Sequence, residues 1–289
     1  MEKKDAAPFR HWRLAAQSLL DIHKDNRDAD VVRLARQRLQ FILTAKETPK
    51  IKAEAGEILG WLGDPRGDLE ELVRIKGGEY ELEDLGKANL KPFGIGKYPV
   101  ANQWFEKFIQ AGGYKEENWE RYWTPEGRKW MKENKPQAPL YWHERQWNCP
   151  NAPVVGVSWY EADAFCRWLT EERKDGFVYP RSGRLRQPER VKRKENILGG
   201  NVWEWTRSDY HARTERDDFL FDEEIQKLYD TESRDELRKK WQEKNRQLPS
   251  LRGGSWYFYR CFAGCAYRYW NYPYVRYFDI GFRCARTSK

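Results

Sequence analysis

Leu251-Arg252-Gly253-Gly254-Ser255-Trp256-Tyr257-Phe258-Tyr259 opens, and Tyr274-Val275-Arg276-Tyr277-Phe278-Asp279-Ile280-Gly281-Phe282-Arg283 closes, a segment unlike the rest of the chain. From Arg252 to Lys289 six arginines and one lysine face a single acid, Asp279. That is a net charge of +6, out of only +8 for all 289 residues. The same segment holds 13 of the chain's 44 aromatic residues, seven of them tyrosine. Arginine and tyrosine without lysine or acid is the composition of a recognition surface more than of a solvated one. Gly253-Gly254-Ser255-Trp256 and Ile280-Gly281-Phe282-Arg283 read as flanking strands that pin the two ends. Arg252, Arg260, Arg268 and Arg276 recur every eight residues. In one extended chain an even spacing returns side chains to one face. A guanidinium offers five donors in a fixed fork, so these arginines are expected to anchor long loops on carbonyls or acids.

Working outward, Gly200-Asn201-Val202-Trp203-Glu204-Trp205 reads as packing, with Trp203 and Trp205 filling the core near the tail. The charge-dense stretch 207–247 alternates acid and base at helical offsets and predicts an inserted, exposed helical pair. Val154-Val155-Gly156-Val157-Ser158-Trp159 predicts a strand. Ser158 then caps a helix carrying Ala162, Ala164, Phe165, Trp168 and Leu169, with Glu161 as the reciprocal capping-box partner. Residues 114–150, rich in Trp and Pro, predict long packed loops. Asn102–Ile109 predicts a short amphipathic helix stopped by Gly112-Gly113, and Gly94–Val100 a strand. Val73–Tyr80 predicts two strands about a glycine turn. Cys149, Cys166 and Cys284 read as small buried hydrophobes.

Upstream, Arg10 to about Leu62 predicts short helices. Trp12, Leu14, Leu19 and Leu20 line one, and Val31, Leu34, Leu39, Phe41 and Ile42 a second. Thr48-Pro49 is a cap followed by the first position of a third. Gly60-Trp61-Leu62-Gly63-Asp64-Pro65 stops it. The organisation expected is a helical module over 1–66, suited to docking a partner, and a larger domain over 67–289.

Composition excludes several classes. With 44 aromatics among 289 residues the chain is no disordered polyelectrolyte. No run approaches ~18 consecutive apolar residues, so no membrane span is expected. The start, Met1-Glu2-Lys3-Lys4-Asp5, is not an apolar export signal. Five cysteines, an odd number, suggest free thiols in a reducing, cytoplasmic compartment. Lysine-rich charge over the rest of the chain suggests the solvated surface of a thermophile protein. His11, His23, His143 and His211 are scattered without metal-ligand spacing.

Four segments in order carry a family signature. They are Gly96–Asn102, Val155–Cys166, Gly200–Trp205, and Leu251–Trp256 continuing through Gly281–Arg283. Together they resemble the formylglycine-generating-enzyme family, also called sulfatase-modifying factors, a variant of the C-type lectin fold. The resemblance covers roughly 70–289 and implies an α+β, loop-rich domain. It also implies a choice of function, because this fold hosts more than one. The family's enzymes resemble copper oxidases that convert a substrate cysteine to formylglycine with two cysteines placed shortly after the Gly-Gly-Ser-aromatic segment. Here that register falls on Phe258 and Ala263. Cys261 and Cys265 fit neither register nor separation, and copper(I) needs thiolates in a fixed geometry. The family's calcium site would use main-chain oxygens of the Gly200–Trp205 segment and Glu204. Too few of the six to eight oxygens can be named here, and Arg184–Lys192 departs from the family pattern. No cofactor and no catalytic residue are therefore expected.

The tail instead resembles the variable protein of a diversity-generating retroelement, whose mutagenic reverse transcription alters adenines in a C-terminal repeat, typically in asparagine codons. The resemblance divides 252–286 into two sets. Arg252, Gly253, Gly254, Ser255, Trp256, Arg260, Arg268, Trp270, Pro273, Arg276, Ile280, Gly281, Phe282 and Arg283 would be constant. Tyr257, Phe258, Tyr259, Cys261, Phe262, Tyr267, Tyr269, Asn271, Tyr272, Tyr274, Val275, Tyr277, Phe278 and Asp279 would vary and bind ligand. All fourteen are residues that a mutated asparagine codon can encode. None is Trp, Lys, Glu, Gln or Met, which it cannot. Tyrosine suits such a face, since it brings large contact area with few torsions to freeze. Tyr267 and Phe278 are the two expected to be buried. The expected function is non-enzymatic binding of an unidentified macromolecule, in the first place a protein. Nucleic-acid binding by interleaved arginine and aromatic residues is the alternative, and copper oxidation the second.

Overall fold

The computed structural model describes residues 9–65, 69–82, 86–174, 177–178, 200–209, 248–258 and 267–287. Three helices come first: α1 Arg10–Ser18, α2 Ala29–Thr44 and α3 Pro49–Leu62. Asp28 caps α2 by accepting from the amides of Asp30 and Val31. Thr48 caps α3, whose first position is Pro49. Ala16, Leu39, Ile42, Ala55, Ile58, Leu59 and Leu62 meet in a core of their own. Arg36 closes the pair by donating to the Leu62 carbonyl at the end of α3.

The described strands then form three sheets. β1 Leu72–Ile75, β2 Gly78–Leu82, β3 Gly86–Leu90 and β4 Phe93–Gly96 come first in the chain. β1 and β2 do not pair with each other across their glycine turn. β1 pairs antiparallel with β4, and β2 pairs antiparallel with β3 as a separate ribbon. β5 Phe177–Val178 and β10 Ala285–Thr287 complete the first sheet, in the order β1-β4-β10-β5. The C-terminal residues thus lie beside the start of the larger domain.

Between the sheets are α4 Asn102–Gln110, α5 Trp119–Tyr122, α6 Pro125–Asn134 and α7 Trp159–Arg173. Helix α4 ends at Gly112-Gly113 as its sequence predicts. Three expectations need correction here. Residues 114–150 are not all loop, because Thr124 caps α6 by accepting from the Gly127 amide, with Pro125 at its first position. Nor is Val154–Trp159 a strand. Its valines are buried, but no ladder runs through it; the nearest pairing is an isolated bridge between Ala101 and Pro153, just before it. Gly94–Val100 is likewise extended sheet only as far as Gly96. The capping box at Ser158 forms as expected: Ser158 Oγ accepts from the Glu161 amide, and Glu161 Oε2 from the Ser158 amide. Helix α7 buries Phe165 against Trp104, Phe105, Phe108, Trp168 and Phe282, the centre of the main core. Cys149, Cys166 and Cys284 are buried and free.

The third sheet carries the tail. It contains β6 Trp203–Asp209, β7 Pro249–Arg252, β8 Arg268–Trp270 and β9 Ile280–Gly281, in the order β8-β7-β6-β9. Residues 207–209, predicted as the start of the inserted helices, belong to β6 instead; the remainder of that insertion, 210–247, lies outside the described residues.

Candidate binding face

Both ends of the tail are fixed on β6. β7 pairs with it antiparallel on one edge, and β9 pairs parallel on the other, with Trp203 opposite Ile280 and Glu204 opposite Gly281. The predicted flanking strands are met only in part: Ile280–Arg283 is strand at Ile280-Gly281 alone, and Gly253–Trp256 is not strand, because the ladder ends at Arg252 on β7. Of the Gly200–Trp205 motif, Trp203–Trp205 opens β6 between them. Gly253 and Gly254 then turn the chain away from β7 at φ +92° and +67°. Only glycine adopts such values without strain. Further bonds hold the departing chain. The Gly200 amide donates to the Gly253 carbonyl at 2.9 Å, and the Trp256 amide to the Asn201 carbonyl at 2.9 Å. Ser255 Oγ donates to Asp279 Oδ2 at 2.7 Å, closing the two ends on each other. On the far side the Gly156 amide donates to the Tyr277 carbonyl, and the Trp159 amide to the Pro273 carbonyl, each at 2.9 Å.

Two arginines of the set expected to be constant act from inside. Arg283 makes a two-pronged ion pair with Glu204, both bonds 2.6 Å, and donates to the Gly96 carbonyl at 2.9 Å. Both partners are buried. Arg276 donates to the carbonyls of Gly156 and Ala138 and to Glu161 Oε1. Tyr114 Oη donates to the same Glu161 oxygen at 2.6 Å. Burial, and next the adjacent Glu161 charge, push the Tyr114 phenol well above its ordinary range. The anchoring role expected of Arg276 is thus met. Arg252 and Arg268 are register partners on antiparallel β7 and β8, so they share one face of that sheet, by pairing across two strands and not by spacing along one extended chain. Arg260 lies outside the described residues.

Of the fourteen predicted site residues, Tyr259, Cys261 and Phe262 lie outside the described residues. Tyr257, Tyr277, Phe258 and Tyr267 are exposed, the first by 63% and the second by 51%. Tyr269, Tyr272, Tyr274, Val275 and Phe278 are half-buried. Asn271 and Asp279 are buried, at 3% and 4% exposure, and so are corrected from surface to scaffold. Asn271 Oδ1 accepts from the Tyr272 amide, and Asp279 accepts from Ser255. Tyr267, expected to be buried, lies outward with its ring 5.9 Å from Trp203, because Trp203 already fills the space beneath it. Trp256, assigned to the constant set, is 53% exposed. Sequence reasoning missed its surface position, although the two positive-φ glycines before it were a signal for a chain leaving the sheet.

The exposed rings join a larger aromatic cluster. Phe278 lies 5.5 Å from Trp147, 5.0 Å from Tyr257, 5.9 Å from Trp256 and 6.5 Å from Tyr141. A second group places Tyr272 stacked on Tyr274 at 5.5 Å and edge-on to Trp270. Phe258, Tyr267 and Tyr269 sit on buried Trp203. The chemistry available is contact by aromatic faces and phenol hydroxyls. Burial pushes the Cys149 thiol up to about 11 and the Cys166 thiol well above the ordinary value. Both oxygens of Glu204, the carboxylate that the family's calcium site would use, accept from Arg283. Among the described residues no group of three or more His, Cys, Asp or Glu could hold a metal ion.

A mixed α+β fold with a loop-rich tail clamped on a central strand defines this protein as one of the formylglycine-generating-enzyme type. The sulfatase-modifying factor enzyme 1-like domain matches residues 62–193 and 196–288, and the chain belongs to that family. It is 24% identical to the inactive C-alpha-formylglycine-generating enzyme 2 of Bos taurus, over 53% of this chain and 75% of that protein. It is also 24% identical to the hercynine oxygenase of Mycolicibacterium thermoresistibile, over 67% of this chain and 50% of the relative, so it spans half of that protein's length. Among solved structures it is similar to Treponema denticola variable protein 1, at 15% identity and a TM-score of 0.45, covering 75% of this chain and 95% of that one. CarF is similar at 13% identity and a TM-score of 0.48, covering 76% and 98%.

Proposed function

We propose that the chain is a non-enzymatic binding protein whose segment 252–286 is a replaceable ligand-binding face, diversified by adenine mutagenesis from a retroelement. One observation carries the reading. The constant residues of the tail hold its two ends on β6 and Glu161, while Tyr257, Phe258, Tyr267 and Tyr277 extend from that frame into solvent. Exposed aromatic residues on a stiff backbone bind with little further ordering cost. The ligand is a macromolecule, in the first place a protein, and the chain works in the cytoplasm without a cofactor. No helix among the described residues is long and apolar enough to cross a membrane. The helical module is a docking element for a partner.

Genomic DNA tests the diversification directly. Beside the gene we expect a near-copy of the segment encoding 252–286, differing only at adenines, next to a reverse transcriptase. A locus with neither overturns diversification. Copper-dependent oxidation of a cysteine peptide, abolished by Cys261→Ser or Cys265→Ser, would overturn the non-enzymatic reading; both cysteines lie outside the described residues.

A further inference from the structure

Two rings of the aromatic cluster stand outside the replaceable set. Trp147 comes from the loop before α7, more than a hundred residues from the tail. Trp256 lies within the tail but is a residue that a mutated asparagine codon cannot encode. Their indoles stack, with centroids 6.0 Å apart and planes at 30°. Trp147 also stacks on Phe278 at 5.5 Å and 29°, and its other neighbour, Tyr141, is constant too. Tyr257 and Phe278, which complete the cluster, are replaceable.

The loop presenting Trp147 is held from two sides. Asn102, buried at the start of α4, donates its side-chain amide to the carbonyls of Trp147 and Cys149 at 2.8 and 2.9 Å. Asn151 donates to the Gly56 carbonyl in α3 at 3.1 Å and to Asp64 at 2.8 Å. Cys149 Sγ donates to the Glu57 carbonyl at 3.4 Å. Trp256 is fixed by its amide bond to Asn201. The backbone of both residues is therefore held by hydrogen bonds that involve none of the replaceable side chains.

We infer that Trp147 and Trp256 form a constant wall of the binding face, contacting the ligand in every variant, while the neighbouring replaceable residues set which ligand is bound. The inference rests on the proposed binding function. Its partner is a folded protein that presents an apolar or aromatic side chain to the indoles. Tryptophan is enriched among residues that dominate protein interfaces, and a pre-positioned ring loses little freedom on binding. No ammonium or guanidinium among the described residues stands over the rings of Tyr141, Trp147, Trp256, Tyr257 or Phe278. A neutral aromatic wall suits a protein side chain better than a phosphate backbone.

The test displays the full chain with positions 257, 258, 277 and 278 varied over the residues a mutated asparagine codon encodes. Selection is against lysozyme, ubiquitin and streptavidin. Trp147→Ala and Trp256→Ala are expected to weaken every selected binder, whatever its target, by about tenfold or more. Trp147→Phe, which keeps a ring, is expected to restore most of the affinity, with an unchanged melting temperature excluding unfolding. Binders whose affinity changes by less than about twofold in both alanine variants would sink the constant wall but leave the replaceable face standing. A library that yields no binder to any target instead overturns the replaceable face itself. Single-stranded DNA that binds through Trp147, losing affinity steeply between about 50 and 200 mM salt, would overturn the assignment to protein.

Discussion

Glu204 and Arg283 show how one residue's environment redirects a family motif. A carboxylate that resemblance marks as a metal ligand has both oxygens taken by a guanidinium, inside the core and against β9. Removing one partner of a buried pair leaves an uncompensated charge, so Glu204→Gln is expected to cost about 3–5 kcal/mol in urea denaturation. Added calcium is expected to leave the wild-type melting temperature unchanged. Asp279 gives a pH prediction. Burial raises its carboxyl above the ordinary value, while the Ser255 hydroxyl pulls it down less strongly. For a carboxyl raised in the folded state, the stabilising contribution is complete below the unfolded pKa and lost as pH rises through the folded one. At neutral pH the buried charge is a cost. Asp279→Asn keeps an acceptor for Ser255 without that charge. Its melting temperature is expected to exceed the wild type's at pH 7, with the gain vanishing near about pH 3; a gain unchanged across that range would refute the argument.

Among the elements, the contact of α3 with the loop before α7 matters most, because it joins the helical module to the loop that carries Trp147. Gly60 permits it: a Cβ there would lie 2.2 Å from Asn151 Oδ1 and 2.5 Å from Cys149 Sγ. Alanine is intrinsically better than glycine in a helix by about 1 kcal/mol. Overpacking costs about 1–3 kcal/mol, so the clash should win. Gly60→Ala is expected to destabilise the protein and to speed hydrogen exchange at the amides of Trp147, Asn148, Cys149 and Asn151; protection equal to wild type would show that α3 does not support the loop. Legibility at this scale was uneven for a physical reason. Thr48-Pro49 and Ser158 with Glu161 were read as caps because an apolar helical period followed each. Thr124-Pro125 carries the same cap, but the ten-residue helix behind it repeats only weakly, its buried Trp130 and Met131 being adjacent. The run Val154–Val157 looked like a strand because burial on all sides favours the same residues, whether or not the backbone pairs.

At the scale of the whole molecule, frame and face should be energetically separable. Tyr257 and Tyr277 are more than half exposed, whereas Phe282 is fully buried among Phe105 and Phe165. Tyr257→Ser and Tyr277→Ser are each expected to change unfolding free energy by no more than about 0.5 kcal/mol. Phe282→Ala should cost about 3–5 kcal/mol. Comparable losses in all three, measured by chemical denaturation, would mean the tail is part of the core and not carried upon it.

What the sequence determined by itself was local: helix caps and the glycine pair that turns the tail outward. These follow from neighbouring residues or from chemistry intrinsic to one side chain. What only the tertiary structure decided was which tail residues face water and what stands beside them. Asn271 and Asp279 turned inward, Trp256 turned outward, and Trp147 arrived from a distant loop. Burial depends on all the elements that surround a position, and contacts between residues so far apart in the chain leave no period or spacing along it.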